Sequence, residues 1–210
     1  FVTLQEAAAV AVFDLESKSW ESILPLGTQD HSVVPLDAND DGLIDIQTYD
    51  NLVGWRMADA IAATEIDGTT YFLTANEGDD RGDAFVYDAD DEAYDGDDRG
   101  DAARVGDVLE GMASENYVQY RDEAADLVID VKFDGDLVEY LESLDGDGLD
   151  RLNISVIDGD TDGDGDIDVL HSYGSRSFTI FDGEGNLVFD SGAQFEQLIE
   201  QIAPQRFNND

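Results

Sequence analysis

The chain has 210 residues, with 51 acidic against 10 basic side chains, a net charge of −41 and no cysteine. No basic stripe is available to neutralise phosphates, which argues against nucleic acid and against an anionic membrane surface as partners. No apolar run approaches the ~20 residues that span a bilayer, and a disulfide framework is excluded.

The acids are 37 Asp and 14 Glu, while the only lysines are Lys18 and Lys132. Such a balance resembles the proteins of extreme halophiles. Molar salt shortens the Debye length to about 3 Å and screens the self-repulsion that would strain the fold in dilute buffer. An acidic calcium-binding protein of marine origin is the rival reading. Hydrophobic residues make up 42% of the chain, enough for a core, and we read residues 1–210 as a single domain. The chain opens on Phe1-Val2-Thr3-Leu4, without Met and with the look of a strand. We therefore expect a mature or trimmed piece of something longer.

In chain order, the first hairpin is Val10 to Asp14, a polar turn, and Trp20 to Leu24. Asp30-His31-Ser32 follows, a polar triplet whose His31 is a weak candidate for a catalytic base, with a structural turn residue the favoured reading. Next comes Asp37-Ala38-Asn39-Asp40-Asp41-Gly42-Leu43-Ile44-Asp45. A second hairpin runs from Ala60 to Glu65 and from Thr70 to Ala75, through Asp67-Gly68, a pair that supplies the positive φ values of a tight turn. Glu77 and Arg81 lie just past that strand, where a site at the mouth of a β-propeller would gather, and are weak catalytic candidates. Arg81 could grip a phosphate with its planar fork, or neutralise neighbouring Asp residues, which we favour. Residues 77–107 read as an acidic inserted loop. It duplicates Asp79-Asp80-Arg81-Gly82-Asp83-Ala84 as Asp97-Asp98-Arg99-Gly100-Asp101-Ala102, and a short strand is expected at Phe85-Val86-Tyr87. Leu137, Tyr140, Leu141 and Leu144 fall at helical spacing, as do Phe195, Leu198, Ile199 and Ile202 before Pro204. Between these helices lies Asp160-Thr161-Asp162-Gly163-Asp164-Gly165-Asp166-Ile167-Asp168, and then a third hairpin, Phe178 to Asp182 with Leu187 to Asp190.

The two acidic nonapeptides share the pattern D-x-D/N-x-D-G-x-I-D. In such a loop alternate side chains converge on one point, glycine takes the sharp turn, the next carbonyl points inward and the last acid closes the shell. The expected ligands are Asp160, Asp162, Asp164, Asp166 and Asp168 in the later loop. In the earlier loop they are Asp37, Asn39, Asp41 and Asp45. Ile167 and Ile44 would anchor the loops. An all-oxygen, flexible shell suits Ca2+ better than magnesium. The bidentate Glu of an EF-hand is replaced by His171 and Thr48, and the flanks look extended. These are expected to be structural calcium loops between strands, with His171 a minor candidate ligand. A register starting at Asp158 also fits the later loop, but it puts Gly165 where the apolar anchor belongs.

Repeated hairpins of this kind point to a mainly β protein with β-propeller-like blades, at ~40–45 residues per blade. Two short helices and inserted calcium loops complete the picture, with a β-sandwich as the rival. The segments Phe1 to Glu6, Ala9 to Leu15, Leu26 to Ser32, Thr74-Ala75-Asn76-Glu77-Gly78-Asp79, Ser175 to Phe178 and Phe189 to Gly192 resemble the choice-of-anchor I domain family. That family includes alkaline phosphatase-like secreted proteins and the mesenchyme-specific cell-surface glycoproteins. The resemblance implies an extracellular or surface-anchored β-propeller of which this chain is about half. It also implies partners along the open sheet edge: missing propeller blades, another chain or a second copy. The acidic insertion between Asp79 and Arg104 departs from the family, as does Met57-Ala58-Asp59. The expected function is an extracellular calcium-binding propeller module with a surface or interaction role. A calcium-dependent alkaline phosphomonoesterase is the alternative.

Overall fold

Short alternating strands and tight turns build a mainly β protein. Its computed structural model describes residues 1–39, 42–82, 85–86, 100–122, 127–144 and 148–207. The chain begins with β1 (Val2–Leu4), β2 (Ala9–Asp14), β3 (Ser19–Pro25), β4 (Thr28–Asp30), β5 (Leu52–Trp55), β6 (Met57–Ile66) and β7 (Thr69–Glu77). It continues with β8 (Phe85–Val86), β9 (Ala102–Arg104), α1 (Val105–Ser114), β10 (Val118–Asp122), β11 (Leu127–Asp130), α2 (Gly135–Ser143), β12 (Asn153–Ser155) and β13 (Leu170–Ser172). The last elements are β14 (Ser177–Asp182), β15 (Leu187–Asp190) and α3 (Gln194–Ile202). Two compact units result. The first comprises Phe1–Asp37, Ile46–Asp79 and Tyr173–Asp210, and the second Ala38–Asp45 and Asp80–Ser172.

In the first unit, β1, β2 and β3 form one antiparallel sheet, and β15, β14, β7 and β6 form another in that order. All three expected hairpins form. The β6–β7 turn places Asp67 at φ 51° and Gly68 at φ 81°, the paired positive angles of a hairpin turn matched to strand twist. The β14–β15 turn is held by Asp182, whose carboxylate accepts the N–H groups of Glu184 and Asn186. Alternation sends Val10, Phe72 and Phe181 inward, where they cluster with Leu26 and Ala58, and Phe1, Leu24 and Ile61 pack against them. Phe72 stacks on Phe181 with ring centroids 5.1 Å apart. Each such buried ring contributes about 1.5–3 kcal/mol.

In the second unit, β12 pairs antiparallel with β9 and β13. Strand β10 pairs with β11 and β8. Helix α2 forms where the apolar spacing placed it, burying Leu137 and Leu141, with Asp134 as its N-cap accepting from Asp136 N–H. The cap satisfies one of the helix's otherwise orphaned donors. Leu144 falls just beyond the helix as its C-cap residue.

Helix α1 is an element the apolar pattern does not reveal. It carries Gly106 and Gly111, poor helix formers. It holds through packing: Val105, Val108 and Gly111 are buried, and a side chain at Gly111 would collide with the Asn116 carbonyl. Both ends of the 77–107 segment therefore carry regular structure. Glu77 belongs to β7, and β9 and α1 take residues 102 onward. Of the duplicated acidic sequence, residues 83–84 and 97–99 lie outside the described residues.

Helix α3 leaves its apolar face largely uncovered. Phe195, Leu198, Ile199 and Ile202 do share one face, yet the helix has no buried residue. Phe195 leans on Phe178 with centroids 5.8 Å apart, and Ile202 is 67% exposed.

Candidate metal centre

The later acidic loop joins β12 to β13 in the second unit. Its curl is written in its own side chains. The two carboxylate oxygens of Asp160 accept Gly163 N–H at 2.7 Å and Gly165 N–H at 3.0 Å. Asp162 accepts from Asp164 N–H, and Asp164 from Asp166 N–H. Gly163 and Gly165 sit at φ 86° and 102°, the left-handed region that glycine enters without strain. Asp168 closes the loop by accepting both the N–H and the hydroxyl of Thr161 at 2.7 Å.

The anchor is Ile167. It is 5% exposed, its N–H reaches Lys132 O at 2.8 Å, and its carbonyl accepts Asp134 N–H at 2.9 Å. This is the apolar position expected for a register starting at Asp160. The rival register needs Asp158, which is committed to Arg81 in an ion pair of 2.8 Å.

The result is a cluster. Carboxylate oxygens of Asp160, Asp162 and Asp168 lie within 4.8 Å of one another. Asp164 and Asp166, also expected as ligands, stand outside that group. The donor set is all oxygen and anionic, with Asp160 and Asp162 exposed and Asp168 half-buried, which fits a hard cation such as Ca2+. The Asp164 N–H bond draws the pKa of Asp162 down, but the charges of Asp164, Asp168 and Asp160, with some desolvation, outweigh it and leave the net shift upward. The two Thr161 bonds hold Asp168 below the usual carboxylate range. A bound cation would relieve the mutual repulsion that raises Asp162.

The earlier loop is less complete. Asp41 lies outside the described residues. Asp37 is buried, and its backbone is gripped within the first unit: its N–H donates to Glu196 at 3.1 Å and its carbonyl accepts from Arg176. Arg176 in turn pairs with Glu196 at 2.8 Å. In the second unit's stretch Asn39 and Ile44 are half-buried and Asp45 is exposed. The cluster in the later loop is the one such acidic group among the described residues.

The catalytic candidates fall into structural places. Glu77 is exposed at the end of β7. Arg81 reaches Asp158 at 2.8 Å, Asp101 at 3.0 Å and Ser155 Oγ at 3.3 Å, so its charge is spent on acids. His31 is 1% exposed, and its Nδ1 bonds to Val34 O at 2.9 Å. His171 Nδ1 bonds to Val169 O at 3.0 Å. One further ion pair had no sequence signal: Arg56 meets Asp190 at 2.8 Å across 134 residues of chain.

The whole chain, residues 1–210, matches the choice-of-anchor I domain. The protein belongs to that family. A choice-of-anchor domain places it among secreted or surface-anchored proteins. No curated protein and no solved structure matches the chain. No helix among the described residues is long and apolar enough to cross a membrane.

In this choice-of-anchor I domain the Thr74–Asp79 signature has a structural explanation. Asn76 is 5% exposed and satisfied on both sides of its amide. Its oxygen accepts from Thr74 Oγ1 at 2.9 Å, and its nitrogen donates to Ser177 Oγ at 3.1 Å and Thr179 Oγ1 at 2.6 Å. A buried polar network of this kind is tolerated because its members find partners. Gly78 lies where β7's exit crosses the chain at Gly174. A Cβ on Gly78 would strike the Tyr173 carbonyl, and one on Gly174 would strike the Glu77 carbonyl and Gly78 itself.

Proposed function

We propose that the protein is an extracellular calcium-binding β-propeller module of a halophilic organism, serving a surface or interaction role. The observation that carries the calcium reading is the oxygen cluster of Asp160, Asp162 and Asp168 on a loop pinned by Ile167. Its test is calcium-dependent melting with single-residue variants, argued in the Discussion. The hairpin sheets support a blade arrangement of about half a propeller. The partners proposed are missing blades, another chain or a second copy. In the first unit, Trp20 and Ile23 on edge strand β3 are 62% and 65% exposed, and Leu187 and Val188 on edge strand β15 are 51% and 54% exposed. Leu4, Ala11, Trp20 and Ile23 also line a surface groove. Proteins normally cover apolar edge strands.

The charge of −41 leads to a salt prediction. In dilute buffer the fold should be loose, and at molar salt compact, because screening shortens the reach of self-repulsion. Light scattering and circular dichroism across a salt series measure both compactness and mass. Full cooperative folding in dilute calcium buffer would overturn the halophile reading. A lone compact monomer at molar salt and high dilution would overturn the open-edge reading.

Arg81 favours a binding module over the phosphomonoesterase alternative, since Asp101 and Asp158 hold its guanidinium. No turnover of a phosphomonoester is expected at alkaline pH, with or without calcium. Calcium-dependent turnover lost in Arg81→Ala or Glu77→Gln would reverse that preference.

A further inference from the structure

We propose that His31 is an acid-sensitive latch: while neutral it pins the Asp30–Val34 turn to the first unit, and a second ring proton releases it. The ring is 1% exposed. Nδ1 faces the Val34 carbonyl at 2.9 Å, and a carbonyl only accepts, so the proton of the neutral ring sits on Nδ1. Nε2 is enclosed with no hydrogen-bond partner. A proton added there becomes a buried cationic donor without an acceptor, one of the costlier arrangements in a protein interior.

The charged groups facing the ring do not rescue it. Asp30, on β4, has its Oδ1 turned to the N–H and hydroxyl of Ser32, at 2.8 and 2.6 Å. Asp190, on β15, is paired with Arg56 at 2.8 Å. Arg176, which precedes β14, repels an imidazolium and is itself paired with Glu196. Burial accordingly holds the His31 pKa below its ordinary value, with the Val34 bond and the two Asp charges opposing that and Arg176 reinforcing it. The imidazolium is accommodated only outside its pocket. Leaving it breaks the grip on Val34 O and loosens the bonds around it: His31 N–H to Leu52 O, Val34 N–H to Asp30 O and Tyr49 N–H to His31 O, each 3.0 Å.

The sign follows from linkage. Above the unfolded-state value of about 6.5 the ring is neutral in both closed and open forms, and the turn is fully held. As pH falls below that value the open form takes the proton and the closed form does not. The opening constant therefore rises about tenfold per pH unit until the closed-state pKa is reached. The chain's other histidine is His171.

Amide hydrogen exchange at fixed molar salt and calcium, from about pH 7.5 to about pH 5.5 and corrected for intrinsic rates, tests the latch. Protection at His31, Val34 and Tyr49 should fall about tenfold per unit, ahead of the β7 and β14 amides, and His171→Gln should behave the same. In His31→Gln the pH dependence should vanish. Protection that is flat with pH in the parent protein, or that falls equally in His31→Gln, overturns the proposal. Should His31→Gln not fold, the ring carbon shifts of His31 in the parent protein decide. Titration coincident with loss of protection supports the latch, and titration with the turn still protected overturns it.

Discussion

Removing calcium with EDTA at fixed molar salt is expected to lower the melting temperature by roughly 5–10 °C. A ligand that binds only the folded state stabilises it by about 2.7 kcal/mol at one hundred times its dissociation constant. A chain of this size shifts by about 2–4 °C per kcal/mol. Asp162→Ala should abolish most of that response, because its carboxylate belongs to the cluster. Asp158→Ala should leave it intact, since Asp158 is spent on Arg81. Asp160→Ala and Asp168→Ala are poorer probes, because Asp160 also holds Gly163 and Gly165 N–H and Asp168 holds Thr161, so both shape the loop. The charge provides an internal control. Deleting one carboxylate from a cluster that repels itself should leave the calcium-free melting point unchanged or higher. Loss of the calcium response without loss of that baseline separates a missing ligand from a damaged fold. Identical melting with calcium and with EDTA would sink the calcium reading.

Gly174→Ala is expected to be the most damaging conservative substitution in the first unit. Gly174 sits at φ +78°, and its new methyl would meet the Glu77 carbonyl and the Gly78 backbone, neither of which is a flexible side-chain tip. Left-handed strain in a non-glycine residue costs about 1–3 kcal/mol, and overpacking adds about 1–3 kcal/mol. Gly68→Ala is the matched comparison. Gly68 has nearly the same φ, +81°, but open space around the missing Cβ. Gly68→Ala should therefore show strain alone, and chemical denaturation of the two variants should differ by the overpacking cost. Equal losses would mean that the crossing of Gly78 and Gly174 is not tight.

How much of this was legible beforehand depends on sequence separation. The hairpins were legible because an Asp-Gly turn and strand alternation are local; Asp67 and Gly68 take their positive φ whatever lies beyond them. The later acidic loop was legible for the same reason. Its cluster, its turning glycines and its Ile167 anchor fall within nine consecutive residues of one pattern, Asp160 to Asp168. Helices α2 and α3 announced themselves by apolar spacing, although spacing said nothing of how little α3 would bury.

Tertiary structure alone decided the rest. Glycines at 106 and 111 hide α1 from any propensity argument, and packing of Val105 and Val108 overrides them. It gave Asp158 to Arg81, a partner 77 residues away. It buried Asn76 as a bridge to Thr179, 103 residues on. It also enclosed His31, although its sequence neighbours Asp30 and Ser32 are polar. Composition and local chemistry settle turns, loops and charge, because those depend on a few adjacent dihedrals and on ionisable side chains that can be counted. Which carboxylate an arginine neutralises, and which nitrogen is left without a partner, depends on chain segments that only the folded packing brings together.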